Sequence, residues 1–194
     1  MSDAAQRLVG LRVIERTERF TLLGCSDARR GKLTLFDADG ARERGALERI
    51  ALRVPALEGR PPVVELGEGL ELELVEAETD VDIDLDHVVL SATDLDAATA
   101  AWEELGFVAV DGRLEVGGAY LRLEPGDPGA PERPLLNHIG VLVDSVEEHQ
   151  AAAEELGIEI DDVVDAPNTL ALFVWGPDRV KLEYIEHKTS FSLT

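Results

Sequence analysis

Two of the chain's four histidines occupy the same place in a repeated phrase, Leu85-Asp86-His87-Val88-Val89-Leu90 and Leu136-Asn137-His138-Ile139-Gly140-Val141. Each phrase is a β-rich run that leads into an Asp-started, Ala/Glu-rich stretch, a change of period that marks a strand followed by a helix. Each also has a matching tail, Tyr120-Leu121-Arg122-Leu123-Glu124 and Val180-Lys181-Leu182-Glu183-Tyr184, so a carboxylate recurs with the histidine. Such a repeat constrains the chain to fold as related units. Imidazoles and carboxylates in duplicated frames point to a divalent ion held between two copies of one unit.

A strand opening of the same cast occurs earlier, at Leu47-Glu48-Arg49-Ile50-Ala51-Leu52-Arg53-Val54. Closing strands recur at residues 32–36 and 70–76 as well as in the two tails. Four closings against three openings make the first unit one that has lost its start. In the last two units Asp94 is placed to cap a helix over 95–105 and Asp144 one over 145–156, with Gly106 and Gly157 in C-cap position. Strands at 107–110, 113–116 and 119–124 follow the first helix, separated by Asp111-Gly112 and Gly117-Gly118 turns. Strands at 159–164, 170–175 and 179–185 follow the second.

The first half reads as a worn version of this plan. Residues 11–23 alternate as a strand or a bent pair with no helix before them, and only residues 55–62 separate the second opening strand from Val63. Residues 79–84 form a short acidic joint, and residues 125–134, rich in Pro and Gly, link the last two units. The expected organisation is a half over 1–80 that lacks helices and is structural, and a complete paired half over 81–194 that carries the metal site.

With 194 residues, 45% of them hydrophobic, the chain can bury a proper core. Its formal charge of −22 repels polyanions, which excludes nucleic acid and anionic membrane as expected partners. The single cysteine, Cys25, has no intrachain disulfide partner and reads as a buried, inert thiol. No stretch approaches the ~20 apolar residues of a membrane helix, so a soluble cytoplasmic protein is expected. The expected partner is a small-molecule substrate; a homodimer is left open.

Tandem βαβββ units with these histidine openings, helices ending Glu104-Leu105-Gly106-Phe107 and Glu155-Leu156-Gly157-Ile158, and closings Leu121-Arg122-Leu123-Glu124 and Val180-Lys181-Leu182-Glu183 resemble the vicinal oxygen chelate superfamily. That group includes glyoxalase I, methylmalonyl-CoA epimerase, bleomycin-resistance-type binders and extradiol dioxygenases. The resemblance covers residues 85–186, and loosely the half before through Leu11-Arg12-Val13-Ile14-Glu15-Arg16-Thr17. It implies an α+β fold in which βαβββ units pack edge to edge into an open, curved sheet around a metal cavity, with the first two units degenerate here. It also implies a ligand set of His87, His138 and Glu183, with Glu124 at the fourth ligand place of glyoxalase-type enzymes. The cofactor so implied is one divalent metal ion, Fe(II) foremost, or Mn(II), Ni(II) or Zn(II), with open positions for substrate oxygens. Arg49 stands where a histidine would open the second unit, so no second site of this kind is expected, and its guanidinium could pair with a carboxylate.

Departures from the dioxygenase pattern are visible too. Asn168-Thr169 falls near the place of that group's acid-base histidine, and Phe173 stands about where it has a tyrosine. Tyr184, His187 and Asn168 are then the remaining candidates for proton transfer. His149, on the polar face of an Ala/Glu helix, is expected to face solvent. Phe191 and Leu193 alternate in a tail expected to pack along an edge. Three functions stay open: a dioxygenase-like metal enzyme, a glyoxalase- or epimerase-like lyase or isomerase, and a non-catalytic small-molecule-binding protein of the resistance type.

Overall fold

The computed structural model describes residues 1–25 and 31–191. These form two compact units, one of residues 1–42 and 49–89 and the other of residues 43–48 and 90–191. Leu193, expected in the terminal tail, lies outside the described residues.

The first unit begins with a helical segment, α1 (Ser2–Ala4) running on into a π-helical turn (Ala5–Val9). This corrects the expectation that no helix precedes the first strands. Ala5 and Val9, one turn apart, are 0% and 2% exposed, and Gly10 ends the segment in the left-handed conformation at φ +97°. Strands β1 (Arg12–Arg16), β2 (Phe20–Gly24) and β3 (Lys32–Phe36) form an antiparallel sheet in sequence order. The first turn is closed by Thr17, whose hydroxyl oxygen accepts the amides of Arg19 and Phe20, both at 3.1 Å. The sequence offered a strand or a bent pair for this stretch, and it is the pair.

Strand β4 (Leu47–Val54) passes to β5 (Val63–Gly67) through a turn, and β6 (Leu70–Glu76) returns beside it. The order β5-β6-β4 leads to β7 (Asp84–Ala92). β4 and β6 are parallel, with Ile50 opposite Leu72, so the opening strand lies beside its closing strand. Leu70, Leu72 and Leu74 point to the core on alternate positions of β6, at 3%, 0% and 3% exposure.

In the second unit, α2 (Leu95–Glu104) starts as expected at Asp94, whose carboxylate accepts the Ala97 amide at 3.0 Å. It buries Trp102 edge-on against Phe107, with ring centroids 5.0 Å apart. The meander β8 (Val108–Val110), β9 (Arg113–Val116) and β10 (Ala119–Pro125) follows, in the order β10-β9-β8. Its first turn places Asp111 and Gly112 at φ +49° and +80°, a conformation a two-residue hairpin requires at both positions.

The last βαβββ unit is β11 (His138–Leu142), α3 (Val146–Leu156), β12 (Ile160–Asp165), β13 (Thr169–Trp175) and β14 (Lys181–His187), in the sheet order β11-β14-β13-β12. Its cap differs from expectation. Ser145, not Asp144, is the N-cap, and its hydroxyl accepts the Glu148 amide at 3.2 Å. The Glu186 carboxylate accepts the Val146 amide at 2.9 Å, which ties the helix start to β14. The mixed α+β architecture expected of tandem βαβββ units is what the chain adopts.

Candidate functional site

Parallel pairing of β11 with β14 sets His138 opposite Lys181 and Gly140 opposite Glu183; antiparallel pairing of β14 with β13 sets Glu183 opposite Phe173. Directly paired residues share a face of a sheet. His138, Gly140, Glu183 and Phe173 therefore line one face, and Val141, Tyr184 and Leu172 the other.

On the first of these faces, His138 Nε2 lies 3.3 Å from Glu183 Oε2, with both side chains about one-fifth exposed. Phe173 meets the imidazole edge-on, with centroids 5.9 Å apart and planes at 84°. The spacing suits shared coordination: two ligands each about 2.1 Å from one ion stand roughly 3.0–3.4 Å apart at octahedral to tetrahedral angles. An imidazole and a carboxylate are also the donor chemistry that Fe(II), Mn(II), Ni(II) and Zn(II) accept. The pair thus fits two adjacent positions on a divalent ion. Among the described residues no three His, Cys, Asp or Glu side chains are grouped so as to hold a metal.

The other residues singled out in the sequence are distributed more widely. Glu124, on β10 in the same unit, is ion-paired with Arg122 at 2.9 Å. His187 closes β14 and stacks on Phe191, with rings 3.5 Å apart and nearly parallel. Asn168 is exposed in the turn before β13, where its carbonyl accepts the Lys188 amide at 3.0 Å. Tyr184 is set apart from the pair: it is buried on the opposite face, and its hydroxyl donates to the Leu105 carbonyl at 2.7 Å. Burial pushes that phenol up to about 12.

His149 corrects the expectation of a solvent-facing side chain. It is half-buried, its Nδ1 lies 2.9 Å from the Ser145 carbonyl, and its ring packs on Tyr184 at 4.4 Å between centroids. The helix sits on the sheet through small residues such as Ala153, so a larger ring on the flank of that face reaches the strand below.

His87 lies in the first unit, on a different sheet from His138. It is 2% exposed, and its Nδ1 lies 2.7 Å from Asp86 Oδ2. An ionised carboxylate accepts the hydrogen bond of Nδ1–H, which favours the tautomer with its proton on Nδ1. Arg53 continues the network, 2.9 Å from Asp84 and 3.9 Å from Asp86. The sequence did not single out Asp86 as a partner, although its position immediately before His87 was the available signal. Arg49, expected to meet a carboxylate, lies 4.0 Å from Glu73. Cys25 is buried as expected, and burial with the nearby Asp84 charge pushes its thiol up to about 12.

No known family's sequence model matches the chain, and no curated protein matches it. Among solved structures, the chain is similar to a protein of Bacillus subtilis subsp. subtilis str. 168 provisionally named a dioxygenase. The TM-score is 0.71 at 18% identity, over 96% of this chain and 80% of that one. It is also similar over part of its length to a lactoylglutathione lyase from Agrobacterium tumefaciens, with TM-score 0.41, 21% identity, and coverage of 52% of this chain and 91% of that one. A third likeness is to the genomically encoded fosfomycin resistance protein FosX from Listeria monocytogenes, with TM-score 0.46, 20% identity, and coverage of 54% and 93%.

Proposed function

The chain has the vicinal oxygen chelate fold, and from that premise we propose that it is a metal-dependent, dioxygenase-like enzyme acting on a small substrate with vicinal oxygens. The observation that carries this reading is the His138–Glu183 pair, a nitrogen and an oxygen donor 3.3 Å apart on one sheet face. The similarity to a provisionally named dioxygenase along 96% of the chain supports the choice of chemistry.

In this reading His138 Nε2 and Glu183 Oε2 hold the ion, and Fe(II) leads Mn(II), Ni(II) and Zn(II). When bound, the ion supplies Lewis acidity and open positions for substrate oxygens, with Fe(II) adding the capacity to engage O₂. Phe173 packs nearly perpendicular to the imidazole, a contact that limits the rotation of the ring.

A second reading is a non-catalytic binding protein. It is favoured by the side chains at the places where a catechol-cleaving enzyme has acid-base groups: Phe173 has no hydroxyl, Asn168 does not titrate, and the Tyr184 hydroxyl is engaged by Leu105. Anaerobic purification followed by elemental analysis separates the two. Near-stoichiometric Fe, Mn, Ni or Zn that is lost in His138→Ala and Glu183→Gln supports the enzyme, and a protein that neither retains nor takes up these ions overturns it. Oxygen uptake with a panel of catechols on the Fe(II)-loaded protein, run beside turnover of methylglyoxal with glutathione, then distinguishes dioxygenase from lyase chemistry.

A further inference from the structure

Gly140 sits in the middle of β11, and its backbone does not call for glycine. Its φ lies outside the left-handed range that other glycines of the chain adopt. A glycine inside a strand gives up side-chain packing and costs backbone entropy, so it marks a place where something must approach closely. Two side chains approach, Ile185 most closely and the Glu183 carboxylate beside it. A Cβ at residue 140 would stand 3.5 Å from Glu183 Oε2 and 3.1 Å from Ile185 Cδ1. That same Oε2 lies 3.3 Å from His138 Nε2. Gly140 is the direct β14 partner of Glu183, and His138 is two residues earlier on the same face. The carboxylate therefore leans across residue 140 to reach the imidazole.

We propose that Gly140 is a positioning residue for the His138–Glu183 pair: its missing side chain is the gap across which the Glu183 carboxylate meets His138 Nε2 and the two close on one divalent cation. The proposal rests on the metal-binding reading above. It differs from a structural role in what substitution moves: a residue that mattered only for β11 and its packing on Ile185 would change stability and leave binding untouched.

The test compares wild type with Gly140→Ala and Gly140→Val, using Co²⁺ alone as the probe, titrated by calorimetry, with thermal melting of each metal-free protein. Alanine brings one carbon into ordinary contact with the carboxylate and requires Ile185 to shift slightly; valine adds two more carbons beside it. The expected result is a small loss of Co²⁺ affinity for alanine and a loss of roughly tenfold or more for valine, the scale of lost ligand support, with cooperative melting showing that both variants are folded at the titration temperature. Valine binding Co²⁺ as tightly as wild type overturns the proposal.

If wild type binds no Co²⁺, the metal reading fails by itself. The positioning role is then decided by the His138 ring-nitrogen shifts in NMR. Glu183→Gln should move them when residue 140 is glycine and leave them in place when it is valine. An equal movement in both backgrounds overturns the proposal.

Discussion

The hydroxyl of Tyr184 on β14 donates to the carbonyl of Leu105, at the end of α2 and 79 positions earlier, at 2.7 Å. This bond joins the last two βαβββ repeats inside the second unit, and Tyr184 is only 5% exposed. Tyr184→Phe keeps the ring and removes the bond, leaving a buried carbonyl without that donor. The expected cost is about 1–2 kcal/mol in denaturant unfolding.

The same phenol has a pH signature. Its folded value, pushed up to about 12 by burial, lies above the ordinary value of 10.0. The folded state thus holds the proton more tightly than the unfolded chain, so the contribution is complete below pH 10 and is lost as pH rises toward 12. Cys25, raised from 9.0 to about 12, acts in the same direction. Unfolding free energy should decline through this alkaline window. Tyr184→Phe and Cys25→Ala should each flatten the decline, and a slope unchanged in both variants would contradict the burial argument.

The start of α3 offers a test of the corrected cap. Ser145 accepts the Glu148 amide, whereas the sequence favoured Asp144, one residue earlier. Both are good capping residues, and the choice depends on where β11 ends and where Glu186 meets the Val146 amide. Ser145→Ala should cost about 1 kcal/mol, and Asp144→Ala should lie within the ~0.5 kcal/mol of an ordinary surface change. Equal effects in thermal or urea unfolding would count against the assignment.

That cap shows what could be read from the sequence and what could not. Strands such as β4, β6 and β9 were legible because alternation and glycine turns fix them locally. The helical segment over Ser2–Val9 was missed because it is short, has no side-chain cap, and is held by only two buried contacts, Ala5 and Val9. His138 and Glu183 were put in one ligand set by resemblance alone; their approach to 3.3 Å comes from the parallel pairing of β11 with β14, which the sequence does not state. A repeat does not reveal which copies share a sheet, and that is why His87 and His138 could be put in equal frames without revealing that their strands belong to different sheets. His149 was misread because the outline of a helix face leaves its flanks undecided, and Tyr184 lies beneath that flank.

Where β13 ends and β14 begins, Asp161 accepts from Lys181, the strand partner of His138, at 2.6 Å and from the Trp175 indole at 3.1 Å, and Arg179 lies 3.9 Å over the Trp175 ring. The Lys181 hydrogen bond holds the Asp161 carboxyl below its ordinary value, against a smaller opposing effect of burial. A lowered folded value means stabilisation present above the unfolded value and lost as pH falls through the folded one. Asp161→Asn should therefore weaken the protein slightly at neutral pH, by at most about 1 kcal/mol for so exposed a pair. The difference from wild type should vanish in acid, and Trp175 fluorescence should report the loosened cluster.

Substitution of the candidate ligands has distinct expected outcomes. His138→Ala removes the nitrogen donor and Glu183→Gln the carboxylate charge from a pair that is only partly buried, so both proteins should fold and lose at least about tenfold in Co²⁺ or Zn²⁺ affinity. His87→Ala behaves differently on physical grounds. It empties the space of a ring that is 2% exposed and leaves Asp86 with Arg53, 3.9 Å away, as its charged partner, a loss of core packing that costs about 2–5 kcal/mol. Its melting temperature should fall well below those of the other two variants. Metal titration of His87→Ala at a temperature where it remains folded then isolates ligation from stability: an affinity equal to wild type assigns His87 to the folding of the first unit, and a loss matching His138→Ala adds it to the ligand set.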